Sequence, residues 1–341
     1  MVKRTDIRTM EDFSAYVGLS RPTVSKFFND PASVRDTTRA RIETALKESG
    51  FSPNIFAVNL KRRRSRIIGI IIPNSTDPFY MELTRSVEEL AAKAGYLAFM
   101  LSTNGQHALE SSAIDRLQSM TVAGLIVVPT GATGRSVRLA QLEDEIPLVY
   151  VDSPPDHPVA FVGTDNMQSM GLIVDYLCRS GEPPCYLGMP NINRNAAARL
   201  DAYLRAMAAA GQPPHILPIP ESDSWEFERF GHECARDLLA GGLPTRTLLC
   251  ANDRIALGAQ LAAWEAGLKV GRDEDCDLRI AGHDDHPQAR FSCPPLTTVA
   301  QNYGEMAHRA MSELITCIEH DGTTKPRNIL LRAELKLRAS A

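Results

Sequence analysis

Hydrophobic and polar positions change period along this chain, and the changes divide it into three parts. Between residues 9 and 52 the apolar residues recur every three or four positions. Phe13 and Tyr16 predict a first helix over Met10–Tyr16, with Thr9 as its cap. Val24, Phe27 and Phe28 predict a second helix. Ser20 starts it, and Pro22 falls in the first turn, where a missing N–H costs little. Ile42, Ala45 and Leu46 predict a third helix over Thr38–Ser49, stopped by Gly50. Val17-Gly18-Leu19 is the tight turn between the first two helices. Next comes a short segment in which Ile55, Val58 and Leu60 predict two helical turns over Ile55–Lys61. A helix that short is mostly unfolded alone in water.

From Ser65 onward, short apolar runs alternate with helical periodicity. Ile67–Ile72 is uninterrupted, as expected for a parallel strand covered on both faces. Helix Phe79–Ala94, strand Tyr96–Leu101, helix Ala108–Met120, strand Gly124–Val128, a helix near Val137–Asp144 and strand Leu148–Val151 follow. A second round starts near Gly163. It holds helix Met167–Ser180, strand Cys185–Gly188, helices Ala196–Ala210 and Phe227–Ala240, strand Thr247–Ala251, helix Ile255–Ala266 and strand Leu278–Ala281. Thr297–Ala300, helix Met306–Glu319 and Ile329–Leu337 finish the chain. The predicted fold is a small all-α helix-turn-helix head plus an α/β body, with two doubly wound parallel-sheet lobes.

Composition narrows the function. The 341 residues suffice for two or three compact units. No run of 18 apolar residues exists, so no membrane span is expected. The start, Met-Val-Lys-Arg-Thr-Asp, has no apolar signal segment, which points to the cytoplasm. The seven cysteines are scattered without a CxxC, as for reduced thiols there. Residues 1–64 carry thirteen Lys and Arg against seven Asp and Glu, a net of +6. The remainder carries 24 against 34, a net of −10. A basic head on an acidic body suits a head that binds a polyanion. Arg21, Thr23, Ser25 and Lys26 lie on the outer face of the second helix, where they suit phosphates and base edges. The run Lys61-Arg62-Arg63-Arg64 adds phosphate-directed charge. The chain has no GxSxG, HExxH or P-loop motif. Asp284 and Asp285 are adjacent, so their side chains diverge. No catalytic residue, metal or cofactor is therefore expected.

A longer ordered set of motifs carries a resemblance. It runs Thr9-Met-Glu-Asp-Phe-Ser-Ala-Tyr-Val-Gly-Leu-Ser-Arg-Pro-Thr-Val-Ser-Lys, Thr38-Arg39 and Gly50-Phe51-Ser52-Pro53-Asn54 with Ala57 and Leu60. It continues through Ile68-Gly69-Ile70, Asp77-Pro78-Phe79-Tyr80, Asn252-Asp253, Gly282-His283-Asp284-Asp285 and Pro295-Leu296-Thr297-Thr298-Val299. Over essentially its whole length the chain resembles the lac repressor (LacI/GalR) family of bacterial regulators. The resemblance implies a homodimeric repressor, of a carbohydrate-utilisation operon, that reads a near-palindromic double-stranded operator. It implies DNA contacts at Thr9, Ser20, Arg21, Pro22, Thr23, Ser25, Lys26, Asn29, Asn54 and Ala57, and a minor-groove wedge at Leu60. Two positions depart from the family. Arg35 stands where a Ser usually precedes the third helix. Lys26 stands where an Arg is common, and Lys cannot make the bidentate fork to guanine.

The resemblance also implies a body of periplasmic-binding-protein type, with three crossings between lobes near Gly163, Arg290 and Gly322. The expected division is a head over 1–52, a linker over 53–65 and a body over 66–341. Lobe 1 takes about 66–163 and 291–321, and lobe 2 about 164–290 and 322–341. In such folds ligands sit beyond the carboxyl ends of the strands, between the lobes. That geometry selects Asn74, Phe79, Asp152, Arg199, Trp225, Asn252, Asp284 and Tyr303 as effector contacts. Charged and amide groups converging with aromatic rings suit a sugar. Plainer roles compete: Asn252 as a helix cap, Phe79 as core, Arg199 with Asp284 as a structural ion pair. A nucleobase, a sugar acid or a protein partner are the alternative effectors. His283 and His286 near Asp284 are weak evidence for a metal.

Overall fold

The computed structural model describes residues 7–52, 65–131, 136–153, 155, 157–320 and 325–341. The chain divides into a head and a body.

In the head, α1 (Met10–Val17) and α2 (Arg21–Asn29) flank a turn in which Gly18 has φ 68. A left-handed residue there costs glycine nothing. A reciprocal cap starts α1. Thr9 Oγ1 accepts the Asp12 N–H at 3.1 Å, and the Asp12 carboxylate accepts the Thr9 N–H at 2.9 Å. Ser20 caps α2, with its hydroxyl facing the Thr23 N–H. The third helix, α3 (Asp36–Ser49), begins earlier than Thr38. Arg35 is its cap residue and gives no side-chain hydrogen bond, so Asp36 supplies negative charge in the first turn instead. Phe13, Val24 and Ile42 are fully buried, and Val17, Phe27, Val34, Ala45 and Phe51 complete one core. The Phe13 and Phe51 rings stack at 4.7 Å. At about 1.5–3 kcal/mol for each large apolar side chain buried, this small core can hold three helices together. The predicted linker helix Ile55–Lys61, with Asn54, Ala57, Leu60 and the Lys61–Arg64 run, lies outside the described residues.

The first lobe of the body is a six-stranded, all-parallel sheet in the order β11-β5-β4-β3-β1-β2. Its strands are β1 (Ile67–Ile72), β2 (Leu97–Ser102), β3 (Gly124–Val127), β4 (Leu148–Val151), β5 (Phe161–Thr164) and β11 (Asn328–Leu331). Every residue of β1 is buried, as its unbroken apolar run predicts. Helices α4 (Pro78–Lys93), α5 (His107–Ser119), α6 (Val137–Leu142) and the late α11 (Tyr303–Glu319) accompany it. The second lobe is a four-stranded parallel sheet of β7 (His215–Ile216), β6 (Cys185–Leu187), β8 (Thr247–Cys250) and β9 (Arg279–Ala281). With it go α7 (Asn166–Ser180), α8 (Arg194–Ala209), α9 (Phe227–Gly241) and α10 (Asp253–Glu265). A two-stranded antiparallel ladder joins β10 (Thr298–Ala300) to β12 (Glu334–Lys336).

Two lobe crossings fall later in the chain than their expected places. Segment 297–300 runs beside β9, where the Gly282 N–H donates to Thr297 O at 2.9 Å and the Asp284 N–H to Val299 O at 2.8 Å. The chain therefore stays with lobe 2 past Arg290 and returns to lobe 1 after Ala300. The closing stretch Ile329–Leu337 holds two strands. Asn328–Leu331 extends the lobe 1 sheet beside β5, so the last crossing follows Leu331. Gly322 itself lies outside the described residues. Gly and polar residues mark turns, and nothing in them tells which sheet the next strand joins.

Candidate functional site

On the head, Arg21, Pro22, Lys26 and Asn29 are exposed on α2, with Ser20 and Thr9 exposed at the helix starts and Thr23 and Ser25 half-buried between. Ser20 Oγ and Thr23 Oγ1 bond each other at 2.8 Å, and Thr9 Oγ1 donates to Asp12 at 2.7 Å. These three hydroxyls therefore hold helix starts as well as facing outward. Arg21 reaches Glu11 at 3.7 Å, a wide, exposed pair that a phosphate can displace. Lys26 has no ion pair among the described residues, which leaves its ammonium available to an anion.

In the body, the loops after the strands meet between the lobes. Asp77, Phe79, Tyr80 and Asp152 come from lobe 1. Asn193, Asn195, Arg199, Asn252 and Asp284 come from lobe 2, with Gln301 at the second crossing. They enclose about 30 Å³, which holds about two waters. The lobes are thus closed on one another, and a sugar-sized molecule needs them apart.

Arg199 is the centre of the polar network. One arm donates to Asp284 Oδ1 and another to Ala251 O, both at 2.7 Å. Gln301 Nε2 donates to the same Asp284 oxygen at 2.7 Å, and Thr164 at the end of β5 donates to Gln301. Two of the lobe crossings are thereby tied to Asp284. His283 lies between Ser169 Oγ and Asp284 Oδ1, 2.8 Å from each. Burial, helped by the Arg199 charge, pushes His283 down to about 4, so it is neutral and its Nδ1–H donates to the carboxylate. Burial opposes the charge on Asp284, yet Arg199 and His283 hold that carboxyl well below the usual range. Asp152 goes the other way. Burial raises it to about 7, with the Asp284 charge adding to the rise and Arg199 opposing it. Tyr80 OH donates to Asp152 at 3.2 Å, and Asn195 Nδ2 donates to the Asp152 carbonyl at 3.2 Å across the cleft. Asp152 and Asp284 both have positive φ, 66 and 117, backbone strain of the kind that collects at functional sites.

The structure brings Phe79, Asp152, Arg199, Asn252 and Asp284 together in the cleft wall. Asn74 stands off, its Oδ1 accepting the Thr76 N–H and hydroxyl at 2.8 Å in a local turn. Trp225 lies beside the wall, 6.1 Å from the Tyr80 ring and 5.8 Å from Phe227. Tyr303 lies behind it, donating to Asp284 O and meeting Phe79 edge-on at 5.3 Å. Asn252 does cap α10, accepting the Ile255 N–H at 2.9 Å, and lines the cavity too. Sequence reasoning missed Asp77, Tyr80, Asn193 and Asn195. Asp77 and Asn193 also cap helices, and capping alone accounts for their residue types. Asn195 carried a usable signal: it lies four residues before Arg199, on the same helical face. Among the described residues no group of His, Cys, Asp or Glu is placed to hold a metal ion.

Comparison with known proteins extends over both parts. Residues 9–54 match bacterial regulatory proteins of the lacI family. Residues 65–339 match periplasmic binding proteins and the sugar binding domain of the LacI family. The ribose operon repressor of Escherichia coli (strain K12) is 31% identical over 340 residues, covering 98% of this chain and 99% of that protein. The HTH-type transcriptional repressor PurR of Haemophilus influenzae (strain PittEE) is 29% identical over 341 residues, covering 97% and 98%. The crystal structure of the lac repressor dimer bound to operator and the anti-inducer ONPF superposes with a TM-score of 0.83. It is 23% identical and covers 97% of this chain and 98% of that one, a likeness of fold.

Proposed function

The chain belongs to the LacI family of DNA-binding transcriptional repressors, and on that premise we propose that it is a homodimer whose cleft takes a neutral sugar. Its work is regulated binding, and it is not an enzyme. The observation that carries the sugar reading is the charge of the cleft wall. Asp77, Asp152 and Asp284 all face the cavity, while Arg199 is committed to Asp284. A carboxylate or phosphate on the ligand would find no uncommitted cation, since Arg199 is held by Asp284 and Arg254 by Asp77 and Glu228, so sugar acids are disfavoured. Hydroxyls can donate to all three acids, and Phe79, Tyr80 and Phe227 offer rings to a C–H face. The name of the E. coli relative makes ribose the first candidate.

The operator reading rests on the head. Arg21 and Pro22 lie nearest base edges, and Thr23, Ser25 and Lys26 hold the backbone. Pairing of two chains is supported by the edge strand β2, whose apolar Leu97 is 38% exposed. In such a dimer, a change of lobe angle alters the spacing of the two linkers, and Leu60 wedges the minor groove only at the right spacing. The setting is the cytoplasm, and no helix among the described residues is long and apolar enough to cross a membrane.

Calorimetric titration of the full chain with D-ribose, other neutral sugars, a sugar acid and a nucleobase tests the cleft. Saturable heat with a neutral sugar alone is the expected result. Binding of the acid or the nucleobase instead, or of none, overturns the sugar assignment.

A further inference from the structure

We propose that Arg254 clasps the two lobes of the body and so sets how readily the cleft opens. This goes beyond the identity of any ligand, because Arg254 does not line the cavity. It is the second residue of α10, in lobe 2, and its side chain is 6% exposed. Glu228 on α9 grips two of its edges: Nε–H donates to Oε1 at 2.7 Å and Nη2 donates to Oε2 at 2.6 Å. The Phe227 ring lies 5.1 Å from its Cζ and backs its flat face. The guanidinium is therefore already fixed within its own lobe, with one edge left over. That edge, Nη1, donates at 2.9 Å to Asp77 Oδ2 in lobe 1.

Asp77 is anchored in the same manner on its side. Its Oδ1 accepts the Phe79 N–H at 3.0 Å and starts α4. Each partner is held by its own lobe, and the two meet only when the lobes do. Ties between α9 and α10 explain the Glu228 contacts; they leave the third edge unexplained. Closure takes both charges out of water, so the attraction is largely offset by desolvation. The pair therefore works as a releasable clasp. His286 is a further titratable neighbour, and the Tyr80 and Tyr303 phenols also lie within reach of the Asp77 charge. His286 Nε2 is 3.8 Å from Asp77 Oδ1 and 3.6 Å from Asp284 Oδ2, and both its ring nitrogens are buried without a hydrogen bond. The closed arrangement thus has a second donor close to the same carboxylate.

The molecule carries its own reporter of closure. Trp225, in lobe 2, packs so tightly on Gly105 of lobe 1 that a Cβ there would lie 2.2 Å from the indole nitrogen. The chain has two tryptophans, and the other, Trp264, is 75% exposed. In a Trp264→Phe background, acrylamide quenching reads Trp225 alone in the full chain. Arg254→Met strands the Asp77 carboxylate on closure and should shift the balance toward open on the order of 100-fold. Trp225 then becomes readily quenched. Adding Asp77→Asn removes the stranded charge and keeps the acceptor for the Phe79 N–H, so shielding should recover in part. Asp77→Asn alone, which leaves the Glu228 grip intact, should open the cleft by about tenfold. It serves if Arg254→Met does not fold. Parent-like shielding of Trp225 in folded Arg254→Met or in Asp77→Asn overturns the clasp. So does a double variant no more shielded than Arg254→Met.

Discussion

Replacing Asp152 with Asn should make the body more stable above neutral pH and leave it nearly unchanged in acid. Asn keeps the shape, tolerates φ 66, and can still accept from Tyr80 OH. Asp152 is 7% exposed, and burial raises its carboxyl from 3.8 to about 7. The folded state therefore holds a proton that the unfolded chain releases near pH 4. A raised folded value means stability that is fully present below pH 4 and lost as pH climbs toward 7. At about 1.4 kcal/mol for each pH unit between the two values, the loss is about 4 kcal/mol, an upper figure because opening of the cleft rehydrates the group. Urea-denaturation midpoints of parent and variant from pH 4.5 to 8.5 would show it, the difference between the two curves cancelling every other titrating group. The curves should diverge as pH rises, with the Asp152→Asn variant ahead. Parallel curves would show that Asp152 is hydrated and charged, and would refute the reasoning.

Arg199→Met leaves Asp284 buried without its cation and the Ala251 carbonyl without its donor. It should cost about 3–5 kcal/mol by the same denaturation assay and abolish ligand binding, with Asp284→Asn recovering part of the loss. Gly105→Ala forces a side chain into φ 71 and against Trp225, which disfavours the closed arrangement, so Trp225 should become more readily quenched by acrylamide while lobe folding persists. Operator affinity should drop steeply with salt. About six neutralised phosphates give a log–log slope near −5 in an anisotropy titration, and a flat profile would contradict phosphate-dominated docking.

The period of the apolar pattern made the three head helices and the run of body strands readable, because burial of one face or both dictates it. Strands β5 and β7 were not readable. Each has two to four residues, too few to show a period. The crossings fell elsewhere for a different reason: sheet membership is decided by pairing across the chain, and 297–300 and 328–331 are both short strand-forming stretches with nothing local to say which sheet each joins. In the cleft, strand-end geometry was enough for Asp152, Arg199 and Asp284. Asp77 and Asn193 were hidden because each caps a helix as well as lining the cavity, and capping alone accounts for its residue type. Arg254 was hidden further, its cross-cleft role resting on a contact 177 residues away in sequence.

Occupancy of the cleft should be felt at the operator. A near-palindromic duplex selected from a random pool by the full chain, then titrated by anisotropy with and without the neutral sugar found by calorimetry, tests it directly. Saturating sugar should change operator affinity by about 5–150-fold. Equal affinity with the cleft full and empty would contradict the claim.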